Sequence, residues 1–309
     1  MKVLAGYIVT GRWQAILVTT VCGVLAFMLP PVSSLLNYLA AASVALVTLH
    51  IGKAQGLQVL AISSLLTLLF YQLAGVQAAV IVVTLVMLWL PCWLTAAVLQ
   101  QTGSLGHALK AVALFGVCLL LLLYTFFGDP APWWLELLHK FETQLKEAGF
   151  NLQELTDEQV LQSIAALMSG VVLASLVLGI TASVLLGRWW QSVLVHPGGF
   201  RDEFYQLRLG LPAGLLTLGI MLLTRVLQGT ASELATQMAL ILLVPYALTG
   251  LAVVHYLVRQ ARRKGAILAA VYILLAFVPQ ATLLLAGGGL LDTWVDFRRR
   301  FGGSVDNTE

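Results

Sequence analysis

Gly116-Val117-Cys118-Leu119-Leu120-Leu121-Leu122-Leu123-Tyr124-Thr125-Phe126-Phe127 carries no charged residue and no polar–apolar alternation. A half-buried strand alternates with period two, and a membrane barrel needs short alternating segments. This run does neither, so it reads as a helix. Extended back to Gly106 it covers 106–127, the ~20 residues that a helix needs to cross a bilayer. The same reading gives further spans at 13–29, 33–50, 56–74, 77–100, 159–187, 209–227, 234–257 and 266–291. Lys110 and Arg225 are the charged residues inside them.

Composition agrees. Of 309 residues, 10% are charged and 60% hydrophobic, where a soluble domain carries roughly a quarter charged. A soluble globule has too little interior for that apolar surface. An ordinary soluble enzyme, a DNA-binding module and a disordered chain are therefore excluded. The predicted fold is an all-α polytopic transmembrane bundle of 8–9 spans, with 266–291 broken or re-entrant at Pro279-Gln280 and Gly287-Gly288-Gly289. It forms one membrane domain over 1–300, followed by a disordered 301–309.

Basic residues set the orientation, because Lys and Arg concentrate in cytoplasmic loops. Lys2, Arg12, Lys53, Lys110, Arg188, Arg201, Arg208, Arg259, Arg262, Arg263 and Lys264 fall on one side, against Lys140, Lys146 and Arg225 on the other. The N-terminus is thus expected in the cytoplasm and the acidic connection 128–158 outside. A complete ninth crossing would put Arg298, Arg299 and Arg300 outside against this trend, so the reading favours a turn-back of 266–291. Within 131–150, Trp134, Leu138, Phe141 and Leu145 share one helical face, and Glu136–Lys140 and Glu142–Lys146 are i,i+4 pairs on the other. That pattern predicts an amphipathic helix at the outer interface. Thr156 and Gln159 have capping-box spacing ahead of the sixth span.

Catalytic motifs are missing from the chain: there is no G-x-x-x-x-G-K-[ST], H-E-x-x-H or G-x-S-x-G. The five histidines are scattered, and Cys22, Cys92 and Cys118 read as inert thiols in apolar runs. No cofactor, metal or nucleic-acid partner is expected. Mid-depth carboxylates, which ion-motive pumps need, are lacking as well. Asn37, Gln72, Gln77, Gln237 and Gln280 are left to hydrogen-bond a neutral solute or to join helices. Small residues recur every fourth position at Ala15, Thr19 and Gly23, and at Ser175, Gly179, Ser183 and Gly187. These stripes suit close helix packing, within the bundle or against a partner subunit.

Two stretches stand apart. The cytoplasmic elbow, within 188–208, contains Pro197-Gly198-Gly199-Phe200-Arg201-Asp202-Glu203-Phe204 and ends at Arg208. The tail reads Gly289-Leu290-Leu291-Asp292-Thr293-Trp294-Val295-Asp296-Phe297-Arg298, with Asp292 and Asp296 one turn apart and Arg299 or Arg300 one turn further. Pro197, Gly198, Phe200, Arg201, Glu203 and Arg208, with Asp292, Trp294, Asp296 and Arg298, are candidates for docking or gating. The alternative is an elbow whose arginines meet lipid phosphates.

The Pro-Gly-Gly-Phe-Arg-x-Glu-Phe elbow and the Gly-Leu-Leu-Asp-x-Trp-x-Asp-Phe-Arg tail resemble the YybS-like family of bacterial multi-pass membrane proteins. The resemblance implies an inner-membrane location and a loose relation to substrate-binding subunits of energy-coupling-factor transporters. Such subunits depend on separate energising subunits and dock through a small-residue stripe, which Ala15, Thr19 and Gly23 resemble. Two functions follow as expectations. One is binding or moving a small neutral solute; the other is a membrane scaffold or regulator that docks a cytoplasmic partner.

Overall fold

The computed structural model describes residues 2–75, 77–149 and 157–301. All regular elements among them are helical: α1 Lys2–Val9, α2 Arg12–Met28, α3 Ser33–His50, α4 Lys53–Leu73, α5 Ala78–Thr84, α6 Leu90–Thr102, α7 Leu105–Phe127, α8 Ala131–Glu147, α9 Glu158–Val195, α10 Gly199–Tyr205, α11 Leu211–Val226, α12 Thr230–Leu257, α13 Lys264–Phe277, α14 Gln280–Val295 and α15 Phe297–Phe301. A π-helical turn, Leu85–Trp89, joins α5 to α6. Six helices are long and apolar enough to cross a membrane: Pro30–His50, Lys53–Leu73, Val82–Thr102, Leu105–Phe127, Glu158–Val195 and Thr230–Leu257. The shorter apolar helices α2 and α11 run beside them.

The bundle centres on α3, α9 and α12. Small residues let them approach. A Cβ on Gly179 would lie 2.6 Å from the Tyr38 ring, and one on Gly187 would lie 2.9 Å from Ala45 Cβ and 3.0 Å from Ala42 O. The Gly179–Ser183–Gly187 stripe is therefore buried against α3, while Ser175 is exposed. Ala15, Thr19 and Gly23 are buried likewise, with Gly23 against Trp89 and Thr67. Both stripes face neighbours within this chain.

Several boundaries differ from the sequence reading. The sixth span continues through Arg188 to Val195, 38 residues or about 57 Å, because Arg188 stays in the helix and pairs with Glu203 at 2.7 Å. Its N-cap is Asp157, whose Oδ1 accepts from Gln159 N at 3.0 Å; Thr156 lies outside the described residues. On α8 the Glu136–Lys140 pair forms at 2.6 Å and Glu142 pairs with Lys146. The inward face there holds Trp134, Leu138, Glu142 and Leu145, whereas Phe141 points outward. Trp134 pins the helix by donating to Ser169 Oγ at 2.7 Å. Cys92 is the buried thiol; Cys22 is half-buried and Cys118 exposed.

The last apolar stretch breaks at one place only. Pro279 separates α13 from α14, and the glycine triplet is helical throughout. α13 leaves from the end where α12 stops. α14 returns to that end, since Arg298 just beyond it donates to Leu207 O and α15 packs against α12. The residues 264–295 therefore form a helical hairpin. Phe301 belongs to α15, and 302–309 lie outside the described residues.

Candidate functional site

The elbow and the tail, separate in sequence, meet at one end of the bundle. Gly198, at φ +97°, takes the left-handed conformation that starts α10, and Ser192 Oγ accepts from Phe200 N at 2.9 Å. α10 then lies on the end of α12, with Phe204 against His255 and Tyr205 against Tyr256. Arg208 donates to both oxygens of Asp296, at 2.6 and 3.1 Å. This bidentate contact holds the Asp296 carboxyl below the ordinary carboxylate value. Asp292 and Arg298 are buried together, 3.7 Å apart, and Arg298 Nη2 donates to Leu207 O at 2.8 Å.

The expected ladder from Asp292 through Asp296 to Arg300 does not form. Asp296 adopts φ +49°, a left-handed turn that Asp tolerates, so α14 stops and the chain swings Arg298 inward. Of the candidate docking residues, Glu203, Arg208, Asp292, Asp296 and Arg298 are partnered inside the protein. Pro197, Gly198 and Arg201 face outward, as does Trp294 in part. Arg201 pairs with its neighbour Asp202 at 3.3 Å.

A second feature sits at the opposite end. There, turns of α2, α3 and α4 and the π-helical turn line an open cavity of about 250 Å3. Pro91 explains the turn: it has no N–H for Met87 O and its ring crowds that carbonyl, so the preceding turn widens. Such π-helical turns recur at functional sites. This one brings Leu85 and Trp89 into the wall, facing Asn37, Thr67 and Tyr71. No lining residue is charged. The Tyr71 hydroxyl donates to the main chain, 2.7 Å from Gly23 O and Val24 O. Thr67 Oγ1 and Trp89 Nε1 are buried without a protein partner. Leaving such groups unpaired is costly, and each such pair of atoms in a native structure calls for a reason.

Of the polar residues read as solute ligands, Asn37 lines the cavity. Gln237 instead joins helices, donating to Tyr124 Oη and Ala166 O at 2.8 Å, and Gln72, Gln77 and Gln280 are exposed. Trp89, Tyr71 and Thr67 were not singled out by the sequence. Pro91 inside an apolar run was the available signal. Among the described residues no three His, Cys, Asp or Glu side chains cluster to hold a metal.

The helical bundle, its apolar exterior and the uncharged cavity define a multi-pass membrane protein. The chain belongs to a family described as predicted membrane proteins, DUF2232, whose model matches residues 17–293. No curated protein and no solved structure matches it.

Proposed function

We propose that the protein is a transporter-like protein of the bacterial inner membrane that binds or moves a small neutral solute in the outer cavity. One observation carries this reading: an uncharged cavity of about 250 Å3 lined in part by Thr67 and Trp89, two residues whose buried Oγ1 and Nε1 have no protein partner. A purely apolar cavity of ~150 Å3 takes up benzene, so this one has room for a ring bearing polar groups. A solute whose acceptor reached the indole N–H as the lining adjusted around it would satisfy that group. No nucleotide-binding motif accompanies the cavity, so energy would come from separate subunits, in keeping with the resemblance to energy-coupling-factor transporters. The rival role, docking a cytoplasmic partner at the elbow and tail, has less to offer that partner, because most charges there are already paired.

The test uses purified full-length protein and a panel of uncharged compounds, read by thermal stabilisation. A cavity ligand should lose about tenfold in affinity in Trp89→Phe, which keeps the ring and removes the N–H. Equal affinity in Trp89→Phe and Asn37→Leu places binding elsewhere, and no stabilisation by any compound counts against the reading. Orientation is tested separately. With the elbow cytoplasmic, cysteines at Lys140 and Arg262 in a background free of other cysteines should label from opposite faces of intact cells, 140 from outside. Outside labelling at 262 alone would invert the topology.

A further inference from the structure

Helices α7 and α11 both rest on α12, and between them runs a groove of about 400 Å3. Short side chains leave it open: Ala113 on α7, with Pro212 and Ala213 on α11. Its floor includes the buried Val117 and Ile220, and its rims, Leu114 and Leu216, are 62% and 59% exposed. Among its lining residues the single charge is Lys110, near the start of α7 at the elbow end. Lys110 is half-buried and has no ion pair or hydrogen bond among the described residues. From Lys110 to Val117 the groove runs about 10 Å along the helix axis.

This chemistry is amphipathic: an apolar trough open on the lipid-facing side of the bundle, closed at one end by an unpaired ammonium. A water-soluble anion has no use for the trough, and a neutral hydrocarbon has none for the ammonium. We infer that the groove is a binding site for one anionic phospholipid, with an acyl chain along α7 and α11 and the headgroup phosphate on Lys110. Ordinary lipid contact around a membrane protein would show no dependence on a single lysine. The site lies apart from the outer cavity and does not rest on the solute reading.

Full-length protein in detergent is mixed with phosphatidylglycerol and phosphatidylcholine at equal mole fraction, and retained lipid is counted by native mass spectrometry. Phosphatidylglycerol should be favoured about fivefold, the usual effect of one basic side chain at an anionic headgroup. Lys110→Gln should bring the preference to parity and Lys110→Arg should keep it. Ala213→Phe, which fills the trough, should abolish retention of both lipids. An unchanged preference in Lys110→Gln, unchanged retention in Ala213→Phe, or no retained lipid in the parent protein each overturns the assignment.

Discussion

Gly289→Ala should pull α14 away from α12 and lower the thermal midpoint of the purified protein, while Gly288→Ala, one residue away, should not. A Cβ on Gly289 would lie 2.6 Å from Gly250 N and nearer still to Tyr246 O; one on Gly250 would lie 2.8 Å from Leu285 C. All these neighbours are backbone, so a rotamer change cannot relieve the clash and the helices must separate. Overpacking of this kind costs about 1–3 kcal/mol. Gly288 meets nothing within 4 Å, so alanine there adds only its helix preference, up to ~1 kcal/mol in favour. Opposite shifts from adjacent residues separate close packing from any general effect of glycine. Equal midpoints for Gly289→Ala and the parent would mean that α12 and α14 do not approach at this point.

That pair of glycines also shows where sequence reading stops. Most helices were legible because bilayer thickness fixes their length, and Leu119–Leu123 admits no strand. The triplet Gly287-Gly288-Gly289 read as a weak point, since glycine lowers helix propensity. In the bundle the contact with α12 offsets that loss, and only Pro279, which removes a hydrogen bond, breaks the helix.

The candidate site was less legible still. Asn37 was within reach as a polar residue in an apolar span, but Trp89 and Thr67 look like ordinary core residues until a structure shows that their polar atoms lack partners. The elbow and the tail each stand out in the sequence as separate motifs. Their junction does not, because nothing in the spacing from Arg208 to Asp296 encodes a contact. The left-handed turn at Asp296 decides it, and a single residue's φ is beyond what helical periodicity predicts.

Arg298→Met should be among the most damaging substitutions at this junction, and Asp292→Asn should rescue much of the loss. The Arg298 and Asp292 side chains are 5% and 2% exposed, so neither charge is solvated by water. Removing the guanidinium leaves the carboxylate buried and unpaired, at a cost of about 3–5 kcal/mol. It also strips the donor from Leu207 O. Asp292→Asn removes the orphaned charge yet keeps the oxygen that accepts from Phe297 N at 2.9 Å. The double variant should therefore be more stable than Arg298→Met alone, with residual loss from the unpaired Leu207 carbonyl. Arg208→Ala, by contrast, breaks a pair whose side chains are 49% and 33% exposed, and should cost no more than about 1 kcal/mol. Thermal unfolding of the four variants closes a double-mutant cycle for the buried pair and sets the exposed pair beside it. If Asp292→Asn and Arg298→Met prove additive, the two charges do not interact, and Arg298 holds the tail to the elbow only through its bond to Leu207 O, beside the Arg208–Asp296 pair.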